Sequence, residues 1–339
     1  MSTSDAMTTE VSVPDATVAD VTSTMQDAAG VDPEAYRAEL TGYCYRMLGC
    51  PADAQDAVQE TMLRAWRSSQ GFQGRASVRT WLYRIATNVC IDAQRSGSRR
   101  ARPMDLGPAG HPVLQELGNS LPDTEWVLPM PTPQLGGVDP AQVSIERDTV
   151  RLAFIAALQY LPPRQRAVLI LCEVLRYSAA EVAELLDVST GSVTSALQRA
   201  RVTLAARPHE APAEPTRDVA GLLSRYVAAF ERYDVDALVA LMREDVVMNM
   251  PPYPLWLRGP ADVAAWLRGP GSECRGSRLL STSANGQPAF GQYRPASGGG
   301  HAAWALVVLE LRGNLIATTT SFLDTPALFP QFGLPLTVP

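Results

Sequence analysis

No stretch of this 339-residue chain approaches the roughly 18 consecutive apolar residues that a membrane helix needs, which excludes a membrane-spanning protein. The first 30 residues carry no positive charge and no apolar segment, which excludes a secretory signal. Both point to a cytoplasmic protein with no membrane partner. The five cysteines, Cys44, Cys50, Cys90, Cys172 and Cys274, form no CxxC spacing and are odd in number. That argues against a disulfide framework or a zinc cluster and predicts reduced, buried thiols. Lysine is absent: all 29 basic residues are arginine. We read this as a compositional bias, although Arg suits phosphate and guanine recognition.

The net charge of −6 looks wrong for a nucleic-acid binder until it is divided along the chain. Residues 1–30 hold five acids and no base. Residues 31–102 hold eleven arginines against seven acids. Residues 103–145 hold five acids and no base, and residues 146–207 eight arginines against six acids. Two basic modules thus flank an acidic connector, and the modules are the candidates for phosphate contact. Residues 208–339 are slightly acidic, with ten arginines against twelve acids.

The tail 1–30 is Ser/Thr/Asp/Ala-rich and reads as disordered. Asp32-Pro33 starts a helix that Gly49 ends; Pro51 opens the next, to about Ser68; Ser77 caps a third, to about Arg95. Gly- and Pro-rich residues 97–137 read as a linker. A second helical block follows, with helices near 140–159, 163–175, 179–186 and 190–206. A hinge at 208–216 leads to a different grammar: one amphipathic helix over 217–242, a strand at Val246–Met250, a helix from Pro260 to Arg268, and a hairpin of His301–Leu311 and Leu315–Leu323.

On the helix 52–68, Ala54, Val58, Thr61, Met62 and Ala65 share the core side. Asp56, Gln59, Glu60, Leu63 and Arg67 form an outer stripe, which by pattern alone is a solvated face. On the helix 77–95, Val78, Leu82, Ile85, Ala86 and Val89 form the buried side. Arg84, Asn88 and Arg95 line up elsewhere, with Thr87 and Ile91 beside them and Trp81 at the border. Arginines, an aromatic, an amide and a loop at 72–76 suit capture of single-stranded bases, and equally suit a salt-bridged surface. In the second block, Ser178 to Glu181 is a capping box. After a tight turn, Val193, Leu197, Ala200 and Leu204 face inward, with Ser195, Gln198, Arg199 and Val202 opposite. That is the pattern of a helix-turn-helix, or of an αα-hairpin with no DNA role.

The string DAQDAVQETMLRAWRSSQGFQGRASVRTWLYRIATNVCIDAQR, residues 53–95, closely resembles region 2 of sigma-70-family factors of the extracytoplasmic-function (ECF) group. LPPRQRAVLILCEVLRYSAAEVAELLDVSTGSVTSALQRARVTL, residues 161–204, resembles region 4 of the same family. The resemblance implies a sigma factor with no enzymatic activity and no cofactor. It would bind the β and β′ subunits of RNA polymerase core and direct promoter recognition, melting and initiation. By position, Asp56, Gln59, Glu60, Leu63 and Arg64 would dock on the β′ clamp helices. The loop from Gly74 through Arg75 to Arg79 would receive a flipped −10 base, and Trp81, Arg84, Asn88, Asp92 and Arg95 would face the −10 element. Arg176, Thr194, Ser195, Gln198, Arg199 and Arg201 would serve the −35 element. Thr194 and Ala196 stand where Lys and Arg are frequent in the family, so the recognition helix is less basic than usual. The connector would run through the polymerase active-site cleft with Trp126 as an anchor, or act as a passive spacer.

The string LLSRYVAAFERYDVDALVALMREDVVMNMPPYPLWLRGPADVAAWL, residues 222–267, resembles the SnoaL-like cone fold. The expected fold is therefore multidomain: two all-α sigma domains, a region 2 bundle and a region 4 helix-turn-helix, plus a C-terminal α+β cone. The expected boundaries are a tail 1–30, region 2 at 31–100, an acidic linker 101–145, region 4 at 146–207, a hinge 208–216 and the cone with its tail at 217–339. Asp245, His301 and Asp324 are the cone's candidate acids and base, but they make no convincing pair. Tyr253, Trp256, Trp304 and Phe322 are candidates to line a small-ligand pocket, or ordinary core aromatics. The tail 329–339 reads as a docking segment, and the cone as a regulator folding back on the sigma core. A one-component regulator, helix-turn-helix plus sensing cone, is the alternative; it leaves residues 53–95 unexplained.

Overall fold

The computed structural model describes residues 33–69, 76–94, 99–135, 149–206 and 218–339. The expected tail 1–30 and hinge 208–216, together with Gly74, Arg75 and Arg95, lie outside the described residues.

A 3-10 turn, Pro33–Tyr36, leads into α1 (Arg37–Leu48). Gly49 stops α1 in the left-handed conformation, φ 74°, where glycine carries no Cβ penalty. α2 (Pro51–Ser68) starts on Pro51, whose missing N–H costs nothing at a helix start. α3 (Val78–Ala93) is capped by Ser77, whose side chain accepts from the Thr80 amide. The predicted core side of α2 is buried at every position. Thr87 departs from expectation. It is fully buried, its hydroxyl donating to the Tyr83 carbonyl at 2.7 Å and lying 2.7 Å from the Tyr43 hydroxyl. Two internal partners satisfy it, so it needs no surface.

The second block holds α4 (Leu152–Leu158), α5 (Pro163–Leu169) with a π turn at Ile170–Val174, α6 (Ala179–Leu186) and α7 (Thr190–Ala205). The capping box forms: the Ser178 hydroxyl accepts from the Glu181 amide and the Glu181 carboxylate from the Ser178 amide. Asp187, φ 55°, makes the turn between α6 and α7.

In the C-terminal domain the expected single helix is two, α8 (Val219–Glu231) and α9 (Val235–Val239). Tyr233 adopts φ 55° and buries its hydroxyl, which donates to the carbonyls of Leu267 and Gly271, both at 2.7 Å. Asp234 then caps the new helix through the Ala237 amide. This tertiary anchorage overrides an amphipathic pattern that runs on unbroken. The sheet order is β2-β1-β6-β5-β4-β3. Its strands are β1 (Met242–Asn249), β2 (Trp256–Arg258), β3 (Arg278–Ala284), β4 (Gln287–Pro295), β5 (His301–Arg312) and β6 (Leu315–Phe322). β1 and β6 are parallel and the other pairs antiparallel. The tail docks on its own domain: β7 (Thr337–Val338) pairs with the start of β5, and Phe329 is fully buried against Tyr293.

Side chains alternate across a strand, so the sheet has two faces. One carries Val246, Phe290, Val307, Leu309 and Ile316 and packs under α8, α9 and α10 (Pro260–Arg268). The other carries Leu306, Val308 and Phe322, which belong to one continuous apolar core with both helical blocks. Between them runs the connector. It is neither a free spacer nor a plain extended strand, but a strap of short 3-10 turns pinned on both sides. The Leu128 amide donates to the Gly49 carbonyl. Leu121 donates to Pro252, Gly110 to Trp256, and the Trp256 indole to Gly107.

Candidate functional site

On α2, Asp56 and Gln59 are exposed, Leu63 is half-buried, and the side chains of Glu60 and Arg64 are 38% and 42% exposed. The stripe is therefore open to a partner. Arg64 pairs with Glu60 at 2.6 Å along the helix and lies 3.7 Å from Asp92 of α3, so the two expected sites of the first module meet at this side chain.

On α3, Arg84, Asn88 and Asp92 are exposed and Trp81 half-buried. The second block packs against this helix. Arg79 pairs with Glu39 and donates to the Tyr177 hydroxyl at 2.9 Å, its guanidinium lying over the Tyr83 and Tyr177 rings. Arg84 lies 3.9 Å from Asp187 in the turn of the helix-turn-helix. Sequence reasoning missed Tyr177 and Glu39 as members of this joint, because nothing local marks them. Arg166 makes a second joint. Its guanidinium donates to the Met47 carbonyl at the end of α1, to the Gln159 side chain and carbonyl, and to the Leu161 carbonyl. All four are neutral oxygens, and burial pulls its pKa down to about 10. Gln159 also donates to the Arg46 carbonyl, so two side chains of the second block cap the end of α1.

On α7, Thr194, Ser195, Gln198 and Arg199 are exposed; Arg176 is exposed at φ 62°, and Arg201 pairs with Glu173. Ala196 is buried, so its departure from the usual basic residue concerns the inner side of the helix and not its outward face.

These helices coincide with known families. Residues 34–100 match Sigma-70 region 2, residues 151–204 match Sigma-70 region 4, and residues 223–319 match the SnoaL-like domain. The chain is 44% identical over 309 residues to "ECF RNA polymerase sigma factor SigG" of Mycobacterium tuberculosis (strain CDC 1551 / Oshkosh), spanning 89% of this chain and 82% of that one. The chain belongs to the ECF RNA polymerase sigma factors. As a sigma factor it serves promoter recognition by RNA polymerase, a non-enzymatic role in transcription initiation. The sigma factor is also 30% identical over 216 residues to "ECF RNA polymerase sigma factor SigJ" of M. tuberculosis (strain ATCC 25618 / H37Rv), covering 64% of this chain and 62% of that one. The crystal structure of M. tuberculosis SigJ shares its fold, with TM-score 0.59 over 89% of this chain and 98% of that one at 23% identity. Among the described residues, no helix of the sigma factor is long and apolar enough to cross a membrane.

The candidate acids and base of its cone are not brought together. Asp245 pairs with Arg243, His301 meets the Gly276 carbonyl, and Asp324 faces Asp123 of the linker. The candidate pocket aromatics also part company. Phe322 joins the core shared with the helical blocks, Trp304 lies under the Arg294 guanidinium at 3.4 Å, and Trp256 holds the linker. Trp126 is buried in its own chain beside Ala101, not presented as an anchor for a channel. Cys44, Cys50 and Cys90 are buried free thiols as expected, whereas Cys172 and Cys274 are only half-buried.

Proposed function

We propose that the sigma factor docks on the β′ subunit through the α2 stripe, melts and reads the −10 element with α3 and the loop before it, and reads the −35 element with α7. Until it reads a promoter, the C-terminal domain holds it in a closed form. The observation that carries this reading is the contact between the two DNA readers. Arg84 on the −10 helix lies 3.9 Å from Asp187 in the helix-turn-helix. Promoter elements centred about 25 base pairs apart are separated by roughly 85 Å at 3.4 Å per base pair. The two modules cannot read both elements without separating. What keeps them together is the linker and the cone, which share one core with them.

The expected boundaries, region 2 at 31–100, linker 101–145, region 4 at 146–207 and cone 217–339, are part of this reading. So are a cytoplasmic location alongside polymerase and a cone that regulates without catalysing. Run-off transcription with sigma-free bacterial core polymerase tests it, using the full chain beside Leu63→Glu and Arg84→Ala variants. Discrete start sites that weaken at least tenfold in both variants support it. No initiation, with DNA binding by the chain alone, would sink it.

A further inference from the structure

The tip of the β3–β4 hairpin meets α1, the linker and the residues just before α4. Asn285 is fully buried and sits at φ 53°, a left-handed conformation that Asn tolerates better than most residues. Its amide donates to the Met130 carbonyl at 3.0 Å, and its Oδ1 accepts from the Met130 amide at 2.9 Å. Its Nδ2 donates to the Tyr45 hydroxyl and to the Val150 carbonyl, both at 2.7 Å. Tyr45 in turn donates to the Leu128 carbonyl, and Gly286 donates to Thr132. Burial pushes the Tyr45 hydroxyl's pKa up, so it stays a donor. One side chain from the cone thus ties down α1, the linker and the approach to α4. A buried amide with every donor and acceptor used is costly to replace, because each lost partner leaves an orphan behind.

The contrast with α2 is sharp. The described ion pairs of its outer stripe all lie within the first module, to Glu60, Arg64 and Asp92, and none reaches the cone. What the closed form withholds is the separation of the two readers and the linker.

We propose that the Asn285 turn is a latch that closes promoter reading while leaving the polymerase-docking stripe open, so that the chain binds polymerase latched and reads promoters only once unlatched. This rests on the assignment of α2 as the docking face and of α3 and α7 as the readers. The Arg166 joint costs little to part: its guanidinium crosses to the first block only through the Met47 carbonyl, and its other acceptors, on Gln159 and Leu161, belong to its own block.

Pro131 and Ala284 face each other in an antiparallel bridge between linker and hairpin. At such positions Cα atoms stand roughly 4.5–5.5 Å apart, within disulfide range. The test is the full chain carrying Pro131→Cys and Ala284→Cys, oxidised or reduced, with the unsubstituted chain under both conditions as control. Binding to sigma-free core polymerase and run-off transcription are measured on the same samples. The oxidised form is expected to bind core within about twofold of the reduced form and to yield at least tenfold less transcript, restored by reductant. Loss of core binding on oxidation overturns the proposal, because the latch would then close the docking face too. Equal transcription from both forms overturns it as well. Failure of the unsubstituted chain to bind core removes the docking assignment itself and the proposal with it. Asn285→Ala gives an independent check that needs no cross-link: transcript is expected to rise at least threefold with core affinity unchanged, and an unchanged transcript level overturns the latch.

Discussion

The two faces of the C-terminal sheet are built to different specifications. The face under α8, α9 and α10 is lined by Val246, Phe290, Val307, Leu309 and Ile316. The face toward the linker mixes Leu306, Val308 and Phe322 with buried Asn249, Glu310, Thr318 and Thr320. Registry shows the mixture directly: Val308 stands opposite Thr320, and Glu310 opposite Thr318. The first face is the more apolar of the two, its buried polar residues being Gln292 opposite Ala305 and Thr319 opposite Leu309, and apolar surface gains most from staying covered. A face with polar groups loses less when water returns, because water can take over their hydrogen bonds. The first face holds the domain together; the second suits a contact that opens.

Four substitutions probe that difference, in falling order of effect. Leu309→Ala should cost about 2–5 kcal/mol, because it leaves a cavity in the domain's own core. Urea unfolding of the full chain should show the cone melting first. Tyr45→Phe should cost about 1–3 kcal/mol, since Asn285 and the Leu128 carbonyl each lose a buried partner. Unlike Leu309→Ala, it should leave the cone folded by circular dichroism while hydrogen exchange at the Met130 amide speeds up. Thr320→Val removes the acceptor that the Asn249 side chain donates to, at 3.2 Å, and should lower stability by about 1 kcal/mol. A urea midpoint unmoved by it would mean that the polar groups of this face contribute nothing net.

The smallest effect belongs to Asp123→Asn. Burial and the facing carboxylate of Asp324 raise the Asp123 pKa above its ordinary 3.8, partly offset by Arg100. An acid whose pKa is raised in the closed form stabilises that form at low pH. The contribution fades as pH climbs through the raised value. Opening at Met130, read as amide exchange relative to its intrinsic rate at each pH, should therefore rise from pH 4 toward neutrality. Asp123→Asn should flatten that rise by a few tenths of a kcal/mol, the scale left after solvent screening.

Much of the fold was legible because it is local. Gly49, Pro51, Ser77 and the Ser178–Glu181 box each announce a helix end through a residue-specific mechanism, and each end lies where that mechanism puts it. The core side of α2 followed from its period. What stayed hidden depends on distant partners. The helix break at Tyr233 answers to carbonyls 34 and 38 residues away. Thr87 turned inward to meet Tyr43, 44 residues back. The strap looked like a spacer because its Pro-rich sequence has no period, its order coming from Gly49, Pro252, Trp256 and Asn285. At the candidate site, the outward stripe of α2 and the exposed polar side of α7 could be drawn from sequence. The Arg79–Tyr177 and Arg166–Met47 joints could not, since each links residues about 100 positions apart or more.

The hairpin that carries Asn285 lies near the end of the chain, and ribosomes work from the other end. Between residue 206 and the end of β4 at Pro295 roughly 90 more must be made, which at 5–20 residues per second takes about 4–18 s. During that interval the helical blocks of a newborn chain exist without the strand pair that ties them shut. If the Asn285 turn is the latch proposed above, each molecule begins life unrestrained, and its restraint dates from the making of that hairpin.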